Sequence, residues 1–327
     1  MLKNLILNIL EENKGKPVSG LLIGKKLGVT RSAVWKGIKQ LQEDGFLITS
    51  VPNKGYLLDF RDGALRPEII KEMLTTHYLG HELEILEVID STNTYLKRIS
   101  DMLTGHHGYT VIALRQTAGK GRMQRQFYSP AQQGIYMSFY LEPHFAFEDI
   151  SLVTIIAVVA VCRAIEEVAG FSPDVKWVND VLFHGKKLCG ILTEASIEAE
   201  SGRIKYLVPG IGINLNRDEQ MPEDLQKIVG AINEFTEQPC DRNRLVASVL
   251  NHFESLFDAY LAGNRREILQ EYKKHLCVFG QEYNIISLKG SYPAVPIDID
   301  QDAHLIVKDK KGELHILNSG EISIRKQ

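Results

Sequence analysis

Apolar positions recur at helical spacing through the first 45 residues and predict three helices followed by a two-stranded wing. The first helix covers residues 1 to 13, and Ser19 is placed to cap a second helix that ends near residue 27. The apolar face of that second helix is predicted to consist of Leu21, Leu22 and Leu27. Thr30 caps a third helix running to about residue 43, and residues 46 to 58 form a hairpin. This order is typical of a winged helix-turn-helix domain.

The third helix carries polar and basic side chains on the faces that Val34, Ile38 and Leu41 leave open. Such side chains on the outer face of a recognition helix are suited to the bases and phosphates of duplex DNA. The predicted DNA-contacting residues are Ser19, Thr30, Arg31, Ser32, Trp35, Lys36, Lys39 and Lys54. Two alternatives stay open: a small helical interaction domain that binds no DNA, and a Trp35 side chain that belongs to the core.

Residues 63 to 274 mix apolar strands with helices and predict an α+β domain built around a mixed sheet. Strands are expected at 83–89, 109–115, 134–141, 175–182, 187–194 and 206–214, and helices at 67–77, 92–103, 150–169, 241–261 and 265–275. Beyond that, four short alternating segments separated by turns predict a small β-barrel. With Asp62–Gly63 and Arg66–Pro67 marking a linker, the predicted domains are 1–62, 63–274 and 275–327.

Charge separates the first module from the rest of the chain. The 327 residues contain 44% hydrophobic and 24% charged side chains, which is ordinary for a soluble globular protein. Residues 1 to 62 hold ten Lys and Arg against six Asp and Glu, whereas the rest of the chain holds 28 against 35. A basic module on an acidic body suggests that the module alone meets a polyanion.

Cysteine usage and hydropathy favour a cytoplasmic protein without a membrane anchor. The four cysteines form no CxxC pair, so neither a disulfide framework nor a structural zinc site is expected. The longest apolar run lies within residues 152 to 162 and is shorter than the roughly 20 residues that cross a bilayer. The first helix leads into Glu11 and Glu12 without a cleavage site, which is not the pattern of a signal peptide.

The main chemical signal is the stretch from Gln116 to Phe127, which has the sequence QTAGKGRMQRQF. Two glycines there alternate with a lysine and an arginine, and a second arginine, Arg125, follows three residues later. Glycine lets the backbone approach a ligand closely, and interleaved cations can hold an anion together with backbone N–H groups. An exposed basic loop that binds nothing is the alternative that the local pattern leaves open.

Other polar residues interrupt apolar strands. Asp90–Ser91–Thr92–Asn93 offers side-chain oxygens at a strand end, although helix capping alone would also explain the Ser-Thr pair. Asn179–Asp180 is either a turn or part of a site, and Lys187 is predicted at a sheet edge beside that pair. In Gly210–Ile211–Gly212–Ile213–Asn214, two glycines on an apolar strand predict a close approach to a neighbour or ligand.

These segments together resemble the bifunctional biotin–protein ligases, which are also biotin-operon repressors. The matching segments are 90–93, 116–125, 176–180, 187–194 and 210–214, with 319–323 similar to the terminal barrel strand of that family. The resemblance covers all three domains in order. It implies a winged helix-turn-helix, a central catalytic domain of the biotin/lipoate ligase type and a C-terminal SH3-like barrel.

The resemblance implies a two-step acyl transfer. The biotin carboxylate attacks the α-phosphate of ATP in the presence of Mg²⁺, which gives biotinoyl-5′-AMP and pyrophosphate. A lysine amine of a biotin carboxyl-carrier domain then attacks the mixed anhydride. The resemblance also implies that the bound adenylate acts as corepressor and that the liganded protein forms a homodimer on operator DNA.

Site residues carry over position by position on this resemblance. The implied catalytic cations are Lys120, Arg122, Arg125 and Lys187. The implied biotin-binding residues are Ser91, Thr92, Asn93, Gln116, Gly119, Lys120, Gly121, Arg122, Lys187, Gly190, Gly210 and Gly212. The implied ATP-binding residues are Arg122, Arg125, Lys176, Trp177, Asn179, Asp180, Lys187 and Asn214, with Asp180 also placed at the metal.

Three positions depart from the family pattern. Lys120 replaces an arginine and loses the planar bidentate fork, Val178 replaces a proline, and Phe127 replaces a tryptophan and loses an N–H donor. Altered affinity or loop order is therefore expected, with activity retained. The competing hypotheses are a biotin-sensing repressor without ligase activity and an acyl-adenylating ligase for lipoate.

Overall fold

The computed structural model describes residues 2–13, 16–43, 46, 48–58, 64–142, 150–198, 203–287, 290–318 and 321–323. The chain forms two compact units, Met1–Arg66 with Asp241–Asn243, and Pro67–Cys240 with Arg244–Gln327. The predicted linker at Asp62–Gly63 lies outside the described residues, as does the Ser319–Gly320 start of the closing segment.

The first unit contains three helices and a hairpin, as predicted. Its elements are α1 (Leu2–Glu12), α2 (Gly20–Leu27), α3 (Arg31–Glu43), β1 (Ile48–Val51) and β2 (Gly55–Leu58). The two strands pair antiparallel, with Ile48 opposite Leu58. Ser19 Oγ accepts a hydrogen bond from the Leu21 N–H, and Thr30 Oγ1 accepts one from the Ala33 N–H, both at 3.3 Å. Both predicted helix caps are therefore confirmed.

The predicted apolar face of α2 is wrong at two of its three residues, since only Leu27 packs, partly buried, against the core. Leu21 and Leu22 are 74% and 56% exposed, and the buried residues of this helix are Gly20, Ile23 and Gly24. A Cβ atom on Gly24 would lie 2.8 Å from the Val29 carbonyl oxygen. The two glycines let the helix backbone itself approach its neighbours, so the buried face is the one that carries Ile23.

The second unit is built on a seven-stranded mixed sheet. Its strands are β3 (Leu83–Ile89), β4 (Thr110–Gln116), β5 (Gly134–Phe139), β6 (Asp174–Lys176), β7 (Asp180–Phe183), β8 (Lys186–Ile197) and β9 (Ile204–Asn214). The spatial order is β3-β4-β5-β9-β8-β7-β6, in which β3 and β4 are parallel and the other pairs antiparallel. The predicted mixed sheet is confirmed.

Helices complete this unit. They are α4 (Pro67–Glu72), α5 (Thr92–Arg98), α6 (Ile150–Ala169), α7 (Glu223–Gln226), α8 (Arg242–Leu261) and α9 (Arg265–His275). The apolar run of α6 is buried against the sheet, and Arg163 of this helix forms a bidentate pair with Glu271 of α9 at 2.6 and 2.5 Å. Helix α4 ends at Glu72 and is shorter than predicted. Helix α5 is also shorter, because a 3₁₀ turn at Ser100–Met102 follows it.

The C-terminal strands form one antiparallel sheet. They are β10 (Tyr283–Ser287), β11 (Gly290–Ile299), β12 (Leu305–Asp309), β13 (Leu314–Leu317) and β14 (Glu321–Ser323), in the order β13-β12-β11-β10-β14. The indole N–H of Trp177 donates to the Ala303 carbonyl at 3.0 Å and so ties the β6–β7 connection to this sheet. Among the described residues, no helix has the length and apolar character needed to cross a membrane.

Candidate functional site

The stretch between β4 and β5 folds back on itself as a small loop. The Phe127 N–H donates to the Gly119 carbonyl at 2.9 Å, and the Gly121 N–H donates to the Arg125 carbonyl at 2.7 Å. A 3₁₀ turn, Arg122–Gln124, forms its tip, where Met123 and Gln124 have positive φ angles of 52° and 61°. Gly119 is buried and Arg122 half-buried, whereas Lys120 and Arg125 are exposed, so these two cations line the outside of a loop anchored by backbone hydrogen bonds.

Phe127 packs on two glycines of neighbouring strands. A Cβ atom on Gly212 would lie 2.6 Å from the Phe127 ring, and one on Gly190 would lie 3.1 Å from it. The Nζ atom of Lys187 is 5.8 Å from the centroid of the same ring. The close approach predicted for Gly212 is thus confirmed, and the neighbour is an aromatic side chain of the loop formed by residues 116–127, the glycine-basic loop.

Three charged side chains and one amide of the predicted site form two pairs, one of which includes the Lys187 beside this ring. Lys187 Nζ lies 2.6 Å from Asp180 Oδ1, and Arg122 donates to Asn179 Oδ1 at 3.3 Å. The Asn179 amide donates to the Ile191 carbonyl at 2.7 Å, which fixes its orientation. Asn179–Asp180 is therefore a turn that also presents polar atoms to the loop and to Lys187.

The prediction that Lys187 lies at a sheet edge is wrong. Lys187 is near the start of β8, which pairs with β7 on one side and with β9 on the other. The β6–β7 hairpin continues the sheet beyond β8, with Lys176 opposite Asp180. Asn214, at the end of β9, donates to the Lys187 carbonyl at 3.1 Å and brings this last predicted segment to the same end of the sheet.

A buried polar network lies at the end of β3. The Thr92 N–H donates to Gln116 Oε1 at 2.9 Å, and the Gln116 amide donates to Ser129 Oγ at 2.9 Å. Ser91 is buried at the N-cap position of α5 but makes no side-chain cap hydrogen bond there. Capping therefore does not account for these polar residues, since Thr92 and Gln116 bond to each other.

Asn93 is the centre of this network. Its amide nitrogen lies 3.0 Å from Glu194 Oε2 and 3.1 Å from the Leu192 carbonyl oxygen, and Ser138 Oγ is 2.6 Å from its Oδ1. A Cβ atom on Gly210 would lie only 1.9 Å from Asn93 Oδ1. Gly210 therefore makes room for the Asn93 side chain.

Three residues of this network, Ser129, Ser138 and Glu194, were not among the predicted site residues. Ser138 is a single polar residue on a fully buried strand, where no spacing signal marks it. Glu194 accepts from Lys97 at 2.7 Å. Burial raises the pKa of the Glu194 carboxyl, but hydrogen bonds from Lys97 and Asn93 outweigh it and hold the pKa below its usual range.

A cavity of about 410 Å³ opens next to Asn214. Its lining includes Tyr128, Tyr136, His184, Asn214, Arg217 and Phe235. The Tyr128 hydroxyl donates to Asp218 at 2.7 Å, which joins the segment after the glycine-basic loop to the one after β9. Asn214 is the one lining residue that the sequence predicted for the site, because most of the others lie on irregular segments and none belongs to a motif.

The remaining predicted ATP and metal residues have structural partners. Trp177 is 4% exposed and its N–H donates to the Ala303 carbonyl, whereas Lys176 is half-buried on β6.

Within the described ranges, the carboxylate and histidine clusters with metal-ligand spacing lie in the C-terminal sheet. They are Asp300, Asp302 and His304, and Asp309, Glu313 and His315. In both, the first Asp accepts backbone N–H groups of its own turn, which explains the cluster without an ion.

The predicted DNA-contacting side chains lie on the surface of the first unit. Arg31, Ser32, Trp35, Lys36, Lys39 and Lys54 are exposed, and Ser19 and Thr30 are the caps of α2 and α3. Trp35 is 51% exposed, with Lys39 Nζ 5.2 Å from its ring centroid. The alternative that Trp35 belongs to the core is therefore wrong.

Fold and site together define the class of protein. Residues 85–214 match the biotin/lipoate A/B protein ligase family, and residues 3–57 match a helix-turn-helix (HTH) domain. The chain is 32% identical over 296 residues to the bifunctional ligase/repressor BirA of Bacillus subtilis, covering 90% of each. It is 29% identical over 319 residues to the same-named protein of Escherichia coli, covering 94% of this chain and 92% of the relative. The chain belongs to the bifunctional biotin ligase/repressor family.

A solved structure supports the same assignment. The biotin protein ligase from Aquifex aeolicus in complex with biotin and ATP superposes with a TM-score of 0.65 at 27% identity. It covers 76% of this chain and 100% of its own.

Proposed function

We propose that this chain joins biotin to a carrier-protein lysine at the expense of ATP and also represses transcription in response to biotin. The observation that carries the ligase activity is the convergence of Arg122, Asn179, Asp180 and Lys187 beside the glycine-basic loop. Two anions react in the first step, so fixed cations and backbone N–H groups are the groups that the chemistry requires.

In the first step, Lys187 and Arg122 would hold the biotin carboxylate against the α-phosphate of ATP. The carboxylate oxygen bonds to phosphorus and pyrophosphate leaves, with Lys120 and Arg125 balancing the charge on the phosphate side. Gly119 and Gly121 would let the loop backbone close over the reacting groups, and Gly190 would let the ligand pass. Asp180 and Asn179 act as positioning residues, because each already contacts one of the two cations.

Biotin itself would lie between the polar network and the glycines of β9. Gln116, Thr92, Asn93 and Ser91 supply hydrogen-bonding groups at the end of β3, next to Gly210. Phe127 would form an apolar wall over Gly212, because its ring already packs there. A site with a few polar groups and an apolar wall suits a ligand with a polar ring and an aliphatic tail.

The adenosine end of ATP would occupy the cavity beside Asn214. This cavity adjoins Lys187 through the hydrogen bond from Asn214, and aromatic side chains such as Phe235 line it. A planar base would stack on such rings, and Asn214 would meet its edge. Lys176 and Trp177 would then support the site through the β6–β7 hairpin.

Mg²⁺ fits this site as an ion bound mainly by substrate. It prefers oxygen ligands and is commonly held by one or two carboxylates together with phosphates and water. Asp180 offers one carboxylate, shared with Lys187. The ion would supply charge neutralisation on the phosphates, and Asp180 would be its ligand from this chain.

In the second step, the amine of the carrier lysine attacks the acyl carbon of biotinoyl-5′-AMP, and AMP leaves with the phosphate that Lys187 and Arg122 hold. When no carrier domain is present, the retained adenylate would act as corepressor, and a homodimer would place two α3 helices on operator DNA.

The proposal also includes domain boundaries at 62/63 and 274/275, closure of the C-terminal strands into an SH3-like barrel, and a cytoplasmic location.

The test is a transfer reaction with the full chain, biotin, Mg·ATP and a purified biotin carboxyl-carrier domain. The expected result is a mass gain of one biotin on the carrier, with no detectable gain for the Lys187→Ala variant in the time that the wild type needs to complete the transfer. Biotin and operator retention without transfer would instead identify a sensing repressor. Pyrophosphate release stimulated by lipoate and not by biotin would identify the lipoate-type ligase.

A further inference from the structure

Trp35 occupies the middle of the exposed face of α3. Single exposed apolar side chains are common on soluble proteins, so exposure alone does not indicate a binding role for Trp35. Its charged neighbours do indicate one. Arg31 lies one helical turn before Trp35, Lys39 lies one turn after it, Lys36 lies beside it, and all three are exposed. The indole is thus the apolar centre of a cationic helix face.

The chemistry of the indole restricts what it can recognise. It presents an apolar edge and one N–H donor and has no acceptor. In the major groove of DNA, thymine presents a C5-methyl group next to the O4 acceptor, whereas the other bases have no methyl group. The cations around Trp35 complement the phosphates on either side of the groove, so duplex DNA is the partner that matches both the charge and the apolar centre.

We propose that Trp35 reads a thymine in the operator through contact with its C5-methyl group. This inference rests on the proposed repressor function and adds the base that the helix selects. Lys39 acts with it as a positioning residue, because its ammonium group lies 5.2 Å from the ring centroid and restrains the indole on the exposed face.

The test begins by selecting duplexes from a random pool with the full chain in the presence of biotin and Mg·ATP. Each thymine of the enriched sequence is then replaced by uracil, which removes only the methyl group. With the wild-type chain, uracil at one particular position of a single half-site should weaken binding roughly fourfold, the size expected for one buried methyl group. With Trp35→Ala, uracil at that position should change nothing.

A matched variant separates this contact from general DNA affinity. Lys54→Ala, on the wing, should weaken binding to every duplex and keep the fourfold uracil effect. Circular dichroism and thermal unfolding of each variant show whether its first unit is folded. Ligase activity should be unchanged, because the proposed ligase residues lie in the other compact unit.

The outcomes also separate this inference from the repressor proposal. If no duplex is enriched, both fail. If duplexes are enriched and the uracil effect is absent, or persists unchanged in Trp35→Ala, the thymine assignment alone is overturned. The thymine assignment would also be overturned by a Trp35→Ala variant that binds DNA like the wild type but is a monomer by mass measurement in solution. That result would assign the indole to a contact between two copies of the chain.

Discussion

The Nζ atom of Lys187 lies 2.6 Å from Oδ1 of Asp180, and these side chains are only 28% and 23% exposed. Each charge therefore depends on the other, because removal of one partner leaves a partly buried charge uncompensated. The pair also fixes the ammonium group next to the Phe127 ring and the loop that carries Arg122. Lys187 is held in place before any substrate arrives, which is the arrangement that electrostatic catalysis requires.

Lys187→Ala should lower the rate of pyrophosphate release at saturating biotin and Mg·ATP by about 100- to 1000-fold, the usual cost of removing one transition-state donor. Asp180→Asn should have a smaller effect, because Lys187 remains but loses its anchor. Lys205→Ala is the control, since Lys205 is exposed and pairs with Asp101 at 2.9 Å away from the site. A Lys187→Ala rate within a few-fold of the wild type would remove this residue from the proposed chemistry.

Two glycines of β9 should respond differently to the same substitution. In Gly212→Ala the new Cβ would lie 2.6 Å from the Phe127 ring, the mobile end of a side chain. Displacement of this wall should raise the KM for biotin by about tenfold, or ~1.4 kcal/mol, with little change in the free energy of unfolding. In a Phe127→Ala background the glycine substitution should have no further effect, because its clash partner is gone.

Gly210→Ala should act on stability instead. Its Cβ would lie 1.9 Å from Asn93 Oδ1, and hydrogen bonds to Ser138, Glu194 and Leu192 prevent Asn93 from moving. Overpacking of this kind costs about 1–3 kcal/mol, and denaturant unfolding should show it as a lower midpoint. An unchanged midpoint would show that the network can rearrange around an added methyl group.

The Arg163–Glu271 pair between α6 and α9 predicts a pH dependence of stability. The Arg163 hydrogen bonds lower the pKa of the Glu271 carboxyl below its usual range, against a smaller opposing effect of burial. A carboxyl with a depressed folded-state pKa stabilises the fold above its unfolded pKa of about 4.3, and this contribution is lost as the pH falls through the folded-state value. Glu271→Gln should therefore lower the free energy of unfolding by about 1–2 kcal/mol at pH 7.

The difference between Glu271→Gln and the wild type should shrink as the pH falls below about 4.3, because the unfolded carboxyl is protonated first and the folded one follows at its lower pKa. Denaturant unfolding at about pH 7, 4 and 3 measures this loss, with Glu237→Gln, an exposed carboxylate, as the control. A difference that stays constant over this range would mean that the charge of Glu271 does not stabilise the fold.

The hydrophobic pattern predicted an element correctly where it fitted only one kind of element and one buried face. The run at Ile150–Ala169 is long and mostly apolar, and both its ends were predicted correctly. In α2, by contrast, three consecutive apolar residues, Leu21, Leu22 and Ile23, fit several faces of a short helix. Only the buried glycines at either side of Ile23 decide the face, and their close contacts are not visible in a hydropathy pattern.

The sequence predicted which segments form the candidate site, but it did not predict which of their side chains contact each other. Motifs identified Lys187, Asp180, Arg122 and Asn179, but the pairing of the first two depends on the β7–β8 register. Ser138 was missed, since a lone serine on an apolar strand carries no spacing signal. The cavity beside Asn214 was missed as well, because residues far apart in the chain, most of them on irregular segments, form its walls.

Lys54, at the tip of the β1–β2 hairpin, should contribute charge and no sequence preference to DNA binding. It is exposed, and a lysine that neutralises one phosphate releases counterions on binding. Lys54→Ala should therefore reduce the slope of log K against log salt by about 0.9 and weaken selected and random duplexes alike. Lys26→Ala is the control, because Glu12 lies 2.8 Å from Lys26 Nζ and already offsets its charge. An unchanged slope for Lys54→Ala, measured by titration at three salt concentrations, would show that the wing does not touch the DNA backbone at this residue.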